Sequence, residues 1–185
     1  MAKAEYRSAV RSRKLINEAL ADLLTEKPLD KITVTDVVKR ADINRGTFYA
    51  HYKDIPDVVD HLIHQTFATI REAMISQRNT PDNIGTTLLS AIQSILEEDL
   101  SFYKKILNST ASAIMQEQLV SFVADFMLDN KEQFYSGSRE EYQIAIRFCA
   151  GGLSNLYRDW FSGKLSCSLS ELTKTGDAFI QRIVG

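Results

Sequence analysis

Between residues 32 and 54 this 185-residue chain concentrates side chains that can donate hydrogen bonds to a polyanion. They are the hydroxyls of Thr33, Thr35 and Thr47, the amide of Asn44, the cations Arg45 and Lys53, the phenol of Tyr49 and the imidazole of His51. Gly46 and Ala50 sit among them and are small enough to let another backbone approach closely. Such groups bond phosphate oxygens and the edges of bases, so the chemistry on offer is recognition rather than bond-making.

The elements that must position these groups are legible around them. Thr33 is suited to cap a helix start because its hydroxyl can accept from the free amides of the next turn, and Asp36 completes an approximate capping box at the positive helix end. Val34, Val37, Val38 and Ala41 then form one apolar stripe, with Lys39 and Arg40 off it. Asp42 and Ile43 make the turn, and Asn44 caps a second helix running to about Tyr52. Two short helices and a tight turn are the geometry of a helix-turn-helix, whose second helix enters the major groove by its N-terminal residues. Gly46 costs about 1 kcal/mol relative to alanine inside a helix, which a close approach at that point explains. The competing reading makes Phe48, Tyr49 and Tyr52 core aromatics of an ordinary helical domain. Residue order, turn length and the glycine together favour a reader helix.

The segment resembles the DNA-binding motif of the TetR/AcrR family of transcriptional regulators. Ile32, Thr33, Val37, Ala41, Ile43, Gly46, Thr47, Phe48, Tyr49, His51 and Tyr52 follow the family pattern in order. The resemblance implies that Phe48 and Tyr52 pack the motif onto its first helix and that Tyr49 and His51 meet phosphates. It implies that Arg45, Thr47 and Ala50 face base edges, Arg45 being suited to bidentate contact with guanine. The DNA-facing set expected on this reading is Thr33, Thr35, Asn44, Arg45, Gly46, Thr47, Tyr49, Ala50, His51 and Lys53. One departure stands out. The family commonly places a lysine clamp where this chain has Ile55, followed by Pro56, so the clamp is carried over to Lys53.

Charge is distributed in the same sense. The net charge is −2, but residues 1–55 hold 11 Lys and Arg against 8 Asp and Glu, and the remainder holds 11 against 16. Lys3, Arg7, Arg11, Arg13 and Lys14 form a basic segment suited to phosphate or minor-groove contact, or to a solvated helix start.

A composition of 44% hydrophobic and 25% charged residues is that of a globular chain with a substantial core. No run of about 20 apolar residues is present to span a membrane, and the charged N-terminus lacks the apolar region of a secretory signal. Cys149 and Cys167 have neither metal spacing nor the number for a disulfide scaffold, so a cytoplasmic location is expected. Cys149 reads as a small buried hydrophobe, and Cys167 lies in a Ser-rich connector.

The rest reads as helix after helix, an all-α chain of about nine helices. The first spans Tyr6 to about Glu26 with Leu15, Ile16, Ala19, Leu20, Leu23 and Leu24 recurring in pairs every four residues. A long helix from Ile55 to Arg78 follows, broken by Asn-Thr-Pro-Asp-Asn at 79–83, and others are expected near 84–98, 100–108, 110–134, 139–162 and 169–184. The expected organisation is a three-helix DNA-binding domain over residues 1–54 and a larger effector-binding and dimerisation domain over 55–185. A helix crossing both is a mechanical link.

Asp57, Asp60, His61 and His64 fall at i, i+3, i+4 and i+7 of that long helix, a spacing that could hold a metal ion. They face away from the apolar stripe, where side chains are normally solvated, and no second segment closes a coordination sphere. No metal or cofactor is therefore expected, a metal-dependent helical protein being the less favoured alternative. No nucleophile–base pair or phosphate loop is present either, so the chain does not read as an enzyme.

Helices near 139–162 and 169–184 read as an association surface. Phe148, Gly151, Gly152, Asn155 and Tyr157 surround a Gly-Gly pair, Ser168 and Glu171 make a capping box, and Leu172, Phe179, Ile180 and Ile183 give an apolar face. The resemblance implies a homodimer through these helices, binding a palindromic operator in double-stranded DNA. It also implies a small-molecule effector whose identity the sequence does not name, with control by a protein partner as the alternative. Phe102, Tyr103, Phe122, Phe126, Phe134 and Tyr142 line an effector pocket or form plain core.

Overall fold

The computed structural model describes residues 2–76, 84–129 and 137–184. Among the described residues there are nine α-helices and no strand: α1 (Ala2–Glu26), α2 (Val34–Arg40), α3 (Arg45–Tyr49), α4 (Ile55–Ser76), α5 (Ile84–Glu98), α6 (Leu100–Leu107), α7 (Ser112–Asp129), α8 (Arg139–Phe161) and α9 (Leu169–Val184). Helix α1 begins earlier than Tyr6 because Ala2, Lys3, Ala4 and Glu5 are strong helix formers. Helix α3 is shorter than expected. Its regular part ends at Tyr49, and residues 50–51 close in a turn in which the Tyr52 amide still bonds the Phe48 carbonyl at 3.0 Å. The break at 79–83 and Phe134 lie outside the described residues.

The helices form two compact units, Met1–Gln65 with Ser101–Ser112 and Thr66–Leu100 with Ala113–Gly185. Their border falls within α4, and the first unit is not contiguous in sequence. In the first unit α1 packs on α2 and α3, and α2 on α3. Ile16, Leu20, Val37, Phe48, Val58 and Ile63 are its most enclosed side chains. Residues 101–112 join this unit through Lys105 Nζ, which donates to Asp22 Oδ1 at 2.6 Å, and Thr110 Oγ1, which accepts from the Leu29 amide at 3.3 Å.

In the second unit α9 packs against α5 and α8. The approach is close because Gly176 offers no side chain: a Cβ there would lie 2.8 Å from Leu153 Cδ2. Thr86 on α5 donates to the Asp177 carboxylate on α9 at 2.9 Å, and Ser168 and Glu171 form the expected capping box, their backbone amides reaching each other's side chains at 2.8 and 3.2 Å. Phe126 and Tyr142 are buried core here, and Phe122 stacks on Phe67 at 4.8 Å, while Phe102 and Tyr103 belong to the first unit. Cys149 is half-buried rather than enclosed, and burial raises its thiol pKa. Among the described residues no helix is long and apolar enough to cross a membrane.

Candidate nucleic-acid interface

Both helices of the 33–53 segment start on built caps. Asp36 donates its amide to Thr33 Oγ1 at 3.2 Å and accepts the Thr33 amide at 2.8 Å, so the capping box is complete. Lys27 Nζ adds a third arm, donating to Asp36 Oδ2 at 2.7 Å. That bond first, and those from Thr33 second, hold the Asp36 carboxyl well below the usual carboxylate range. Asn44 Oδ1 caps α3, accepting from the Thr47 amide at 2.7 Å and the Thr47 hydroxyl at 3.1 Å.

The turn between them has a defined form. Ala41 ends α2, Asp42 sits in the left-handed region at φ 51°, and the Ile43 amide bonds back to the Val38 carbonyl at 3.1 Å while the Asp42 amide reaches that of Lys39 at 3.4 Å. This is a Schellman ending with aspartate where glycine is usual. The end of α8 is built in the same way with Gly163, at φ 79°.

The fixed turn sorts the side chains. Phe48 and Tyr52 point inward at 0% and 3% exposure, their rings 6.0 Å apart, as the resemblance implied. Tyr49, next in sequence to Phe48, is 55% exposed and meets it edge-on at 5.5 Å. Thr33, Asn44, Arg45, Gly46, Ala50 and Lys53 are also exposed, and Thr35, Thr47 and His51 are half-buried. Arg45 and Thr35 are brought together across the turn, the guanidinium donating to the hydroxyl at 2.5 Å. Ile55, at the usual clamp position, is 5% exposed and belongs to the core, whereas the Lys53 side chain lies at the surface.

Besides the Arg45–Thr35 bond, two further contacts of this segment were not legible in the sequence. Ser12 on α1 bonds His51, and Lys27 bonds Asp36. The first spans 39 residues and follows no local spacing, so only the packing of α1 reveals it. Two of the four candidate metal ligands have other engagements: Asp57 accepts from the Lys53 amide at 2.8 Å and His61 lies edge-on to Tyr52 at 5.6 Å. Among the described residues no group of three or more His, Cys, Asp or Glu is placed to hold a metal ion.

Residues 16–62, which contain this geometry, match the family model described as bacterial regulatory proteins of the tetR family. Residues 86–182, more than half of the chain, match that of the transcriptional regulator C-terminal region of the same family. The chain belongs to the TetR family of transcriptional regulators. Both descriptions are of regulators rather than enzymes.

Curated relatives of this TetR-family chain include two uncharacterized HTH-type transcriptional regulators of Bacillus subtilis. YxbF is 34% identical over 65 residues, covering 35% of this chain and 17% of that protein, and YvdT is 33% identical over 60 residues, covering 30% and 31%. The matches thus span less than a third of either relative. Among solved structures, the fatty acid degradation regulator FadR from Bacillus halodurans superposes with a TM-score of 0.69 at 16% identity, over 92% of this chain and 94% of that one. The dihydroxyacetone kinase operon activator DhaS superposes with a TM-score of 0.64 at 19% identity, over 94% and 96%. At these identities they establish a shared TetR fold over nearly the whole chain.

Proposed function

We propose that this chain represses transcription as a homodimer that binds a palindromic operator through residues 33–53 and is released by a small-molecule effector. On this reading residues 1–54 are the DNA-reading domain and 55–185 the effector-binding and dimerisation domain. The single observation that carries it is the split between neighbours on α3: Phe48 is fully buried while Arg45, Gly46 and Tyr49 are presented outward from a capped helix start. Arg45 and Thr47 read base edges, and Tyr49, His51 and Lys53 meet phosphates.

Support for the dimer comes from α8 and α9. Phe148 and Ile144 are each 70% exposed, Phe179 and Ile183 are also exposed, and nothing lies within 4 Å of where a Cβ on Gly151 or Gly152 would be. Phe148, Gly152, Phe179 and Ile183 border an apolar groove of about 380 Å³ whose occupant is a second copy of the chain. Tyr157, Leu172 and Ile180 from the same helices turn inward and hold the protomer together. A two-fold dimer sets its reader helices about 34–36 Å apart, one turn of DNA.

Selection of binding sites from random duplex DNA, followed by footprinting, tests the reading. The expected product is an inverted repeat protected on one face at two successive major grooves. Enrichment of no sequence, or of an undivided single half-site, overturns it.

A further inference from the structure

We propose that Thr35 is the positioning residue for Arg45, its hydroxyl holding the guanidinium in the pose from which it reads guanine. This rests on the base-reading role of Arg45 given above. Arg45 opens α3 and is exposed, and Thr35 lies in the first turn of α2 and is half-buried. Arg45 Nη2 donates to Thr35 Oγ1 at 2.5 Å. Among the described residues Arg45 forms no ion pair. Its one anchor is therefore a neutral hydroxyl.

That anchor is well made. Threonine is β-branched and is held to two favoured χ1 rotamers in a helix, and the one adopted here brings its oxygen to Arg45. The turn that carries it is fixed by the Thr33–Asp36 box and the Lys27 bond, and the turn that carries Arg45 is fixed by Asn44. A guanidinium has five N–H donors in a planar fork, so giving one to Thr35 leaves donors for the two acceptors of guanine. An arginine on an open helix start otherwise samples many rotamers, and ordering it on binding weakens affinity and blurs discrimination. A carboxylate in place of Thr35 would hold the cation too well to release it to a base. The hydroxyl orients the guanidinium without neutralising it.

The test uses the full chain and its selected operator, with Thr35→Val, Thr35→Ser, Arg45→Ala and the double variant Thr35→Val/Arg45→Ala. Valine keeps the shape and removes the hydroxyl, and serine restores it. Thr35→Val is expected to weaken operator binding about five- to tenfold, the size of one ordinary net hydrogen bond at an exposed site. The loss is concentrated at the base pair whose discrimination Arg45→Ala abolishes, and Thr35→Ser recovers most of it. In the Arg45→Ala background Thr35→Val adds nothing, and its salt dependence equals that of the wild type because no phosphate contact is lost. A loss that persists in the Arg45→Ala background overturns the proposal by showing that Thr35 meets DNA itself, and a salt slope lowered by about one overturns it by showing that the guanidinium held by Thr35 pairs with a phosphate rather than a base. Arg45→Ala losing discrimination while Thr35→Val retains it overturns the positioning role alone. Intact discrimination in Arg45→Ala removes the base-reading role and the proposal with it. Equal unfolding midpoints of Thr35→Val and wild type exclude a folding defect as the source of the loss.

Discussion

Ser12 Oγ lies 2.6 Å from His51 Nε2, tying α1 to the turn that follows the reader helix. The hydroxyl is also 3.0 Å from the Ser8 carbonyl and 3.1 Å from that of Ala9. A hydroxyl has one proton to give. Donated to either carbonyl, it leaves Nε2–H as the donor to Oγ; donated to Nε2, it puts the imidazole proton on Nδ1. Both arrangements occupy Nε2 within the protein; the second presents Nδ1–H to a phosphate, whereas in the first Nδ1 of the neutral ring is a bare acceptor and donates to a phosphate only once the ring is protonated.

His51 links this contact to pH. Burial first, and the nearby Arg13 second, depress its pKa below the ordinary 6.5. A depressed histidine favours the fold in its neutral form. Its stabilising effect is full above the unfolded value and is lost as pH falls through the lower folded value. The urea midpoint of the wild type is expected to fall between about pH 7 and pH 5 more steeply than that of His51→Gln. Parallel curves for the two proteins would remove His51 from the pH response.

Neighbouring aromatics on α3 separate stability from binding. Phe48→Ala empties a fully enclosed site and is expected to destabilise by about 3–5 kcal/mol. Tyr49→Ala, at 55% exposure, should change stability by about 0.5 kcal/mol or less while weakening operator binding. Denaturant melts and binding isotherms on the same samples check both. A Tyr49→Ala protein with undiminished affinity would strike Tyr49 from the interface.

Asp42 carries a backbone conformation that glycine adopts without strain. Asp42→Gly is expected to raise stability by about 0.5–1 kcal/mol, even though glycine loosens the unfolded chain. Gly163→Ala, at the matching position after α8, should lower it by about 1 kcal/mol. Opposite signs at two equivalent helix ends are the readout, and a loss of stability in Asp42→Gly counts against the account.

The α8–α9 groove is expected to hold a second protomer. Phe148→Glu is exposed in the isolated chain and should leave helicity unchanged, yet place a charge in the apolar contact. Sedimentation is expected to give a monomer, and operator affinity should drop with it. A Phe148→Glu protein that remains a tight dimer would falsify the assigned face.

The sequence by itself determined the all-helical class, the positions of the helices, the reader segment and its caps. Helix periodicity, N-cap chemistry and a motif of fixed spacing are local properties, expressed within a few residues of where they are encoded. The Thr33–Asp36 box, the Asn44 cap and the inward turn of Phe48 and Tyr52 were legible for that reason. The helix start before Tyr6 and the early end of α3 were not, because terminal turns depend on small differences in propensity. Only the tertiary structure decided what depends on distant segments meeting. It set Arg45 on Thr35, His51 on Ser12 and Asp36 on Lys27, brought residues 101–112 to the first unit, and made Ile55 core. No periodicity encodes these meetings, since each follows from the angle at which whole helices pack.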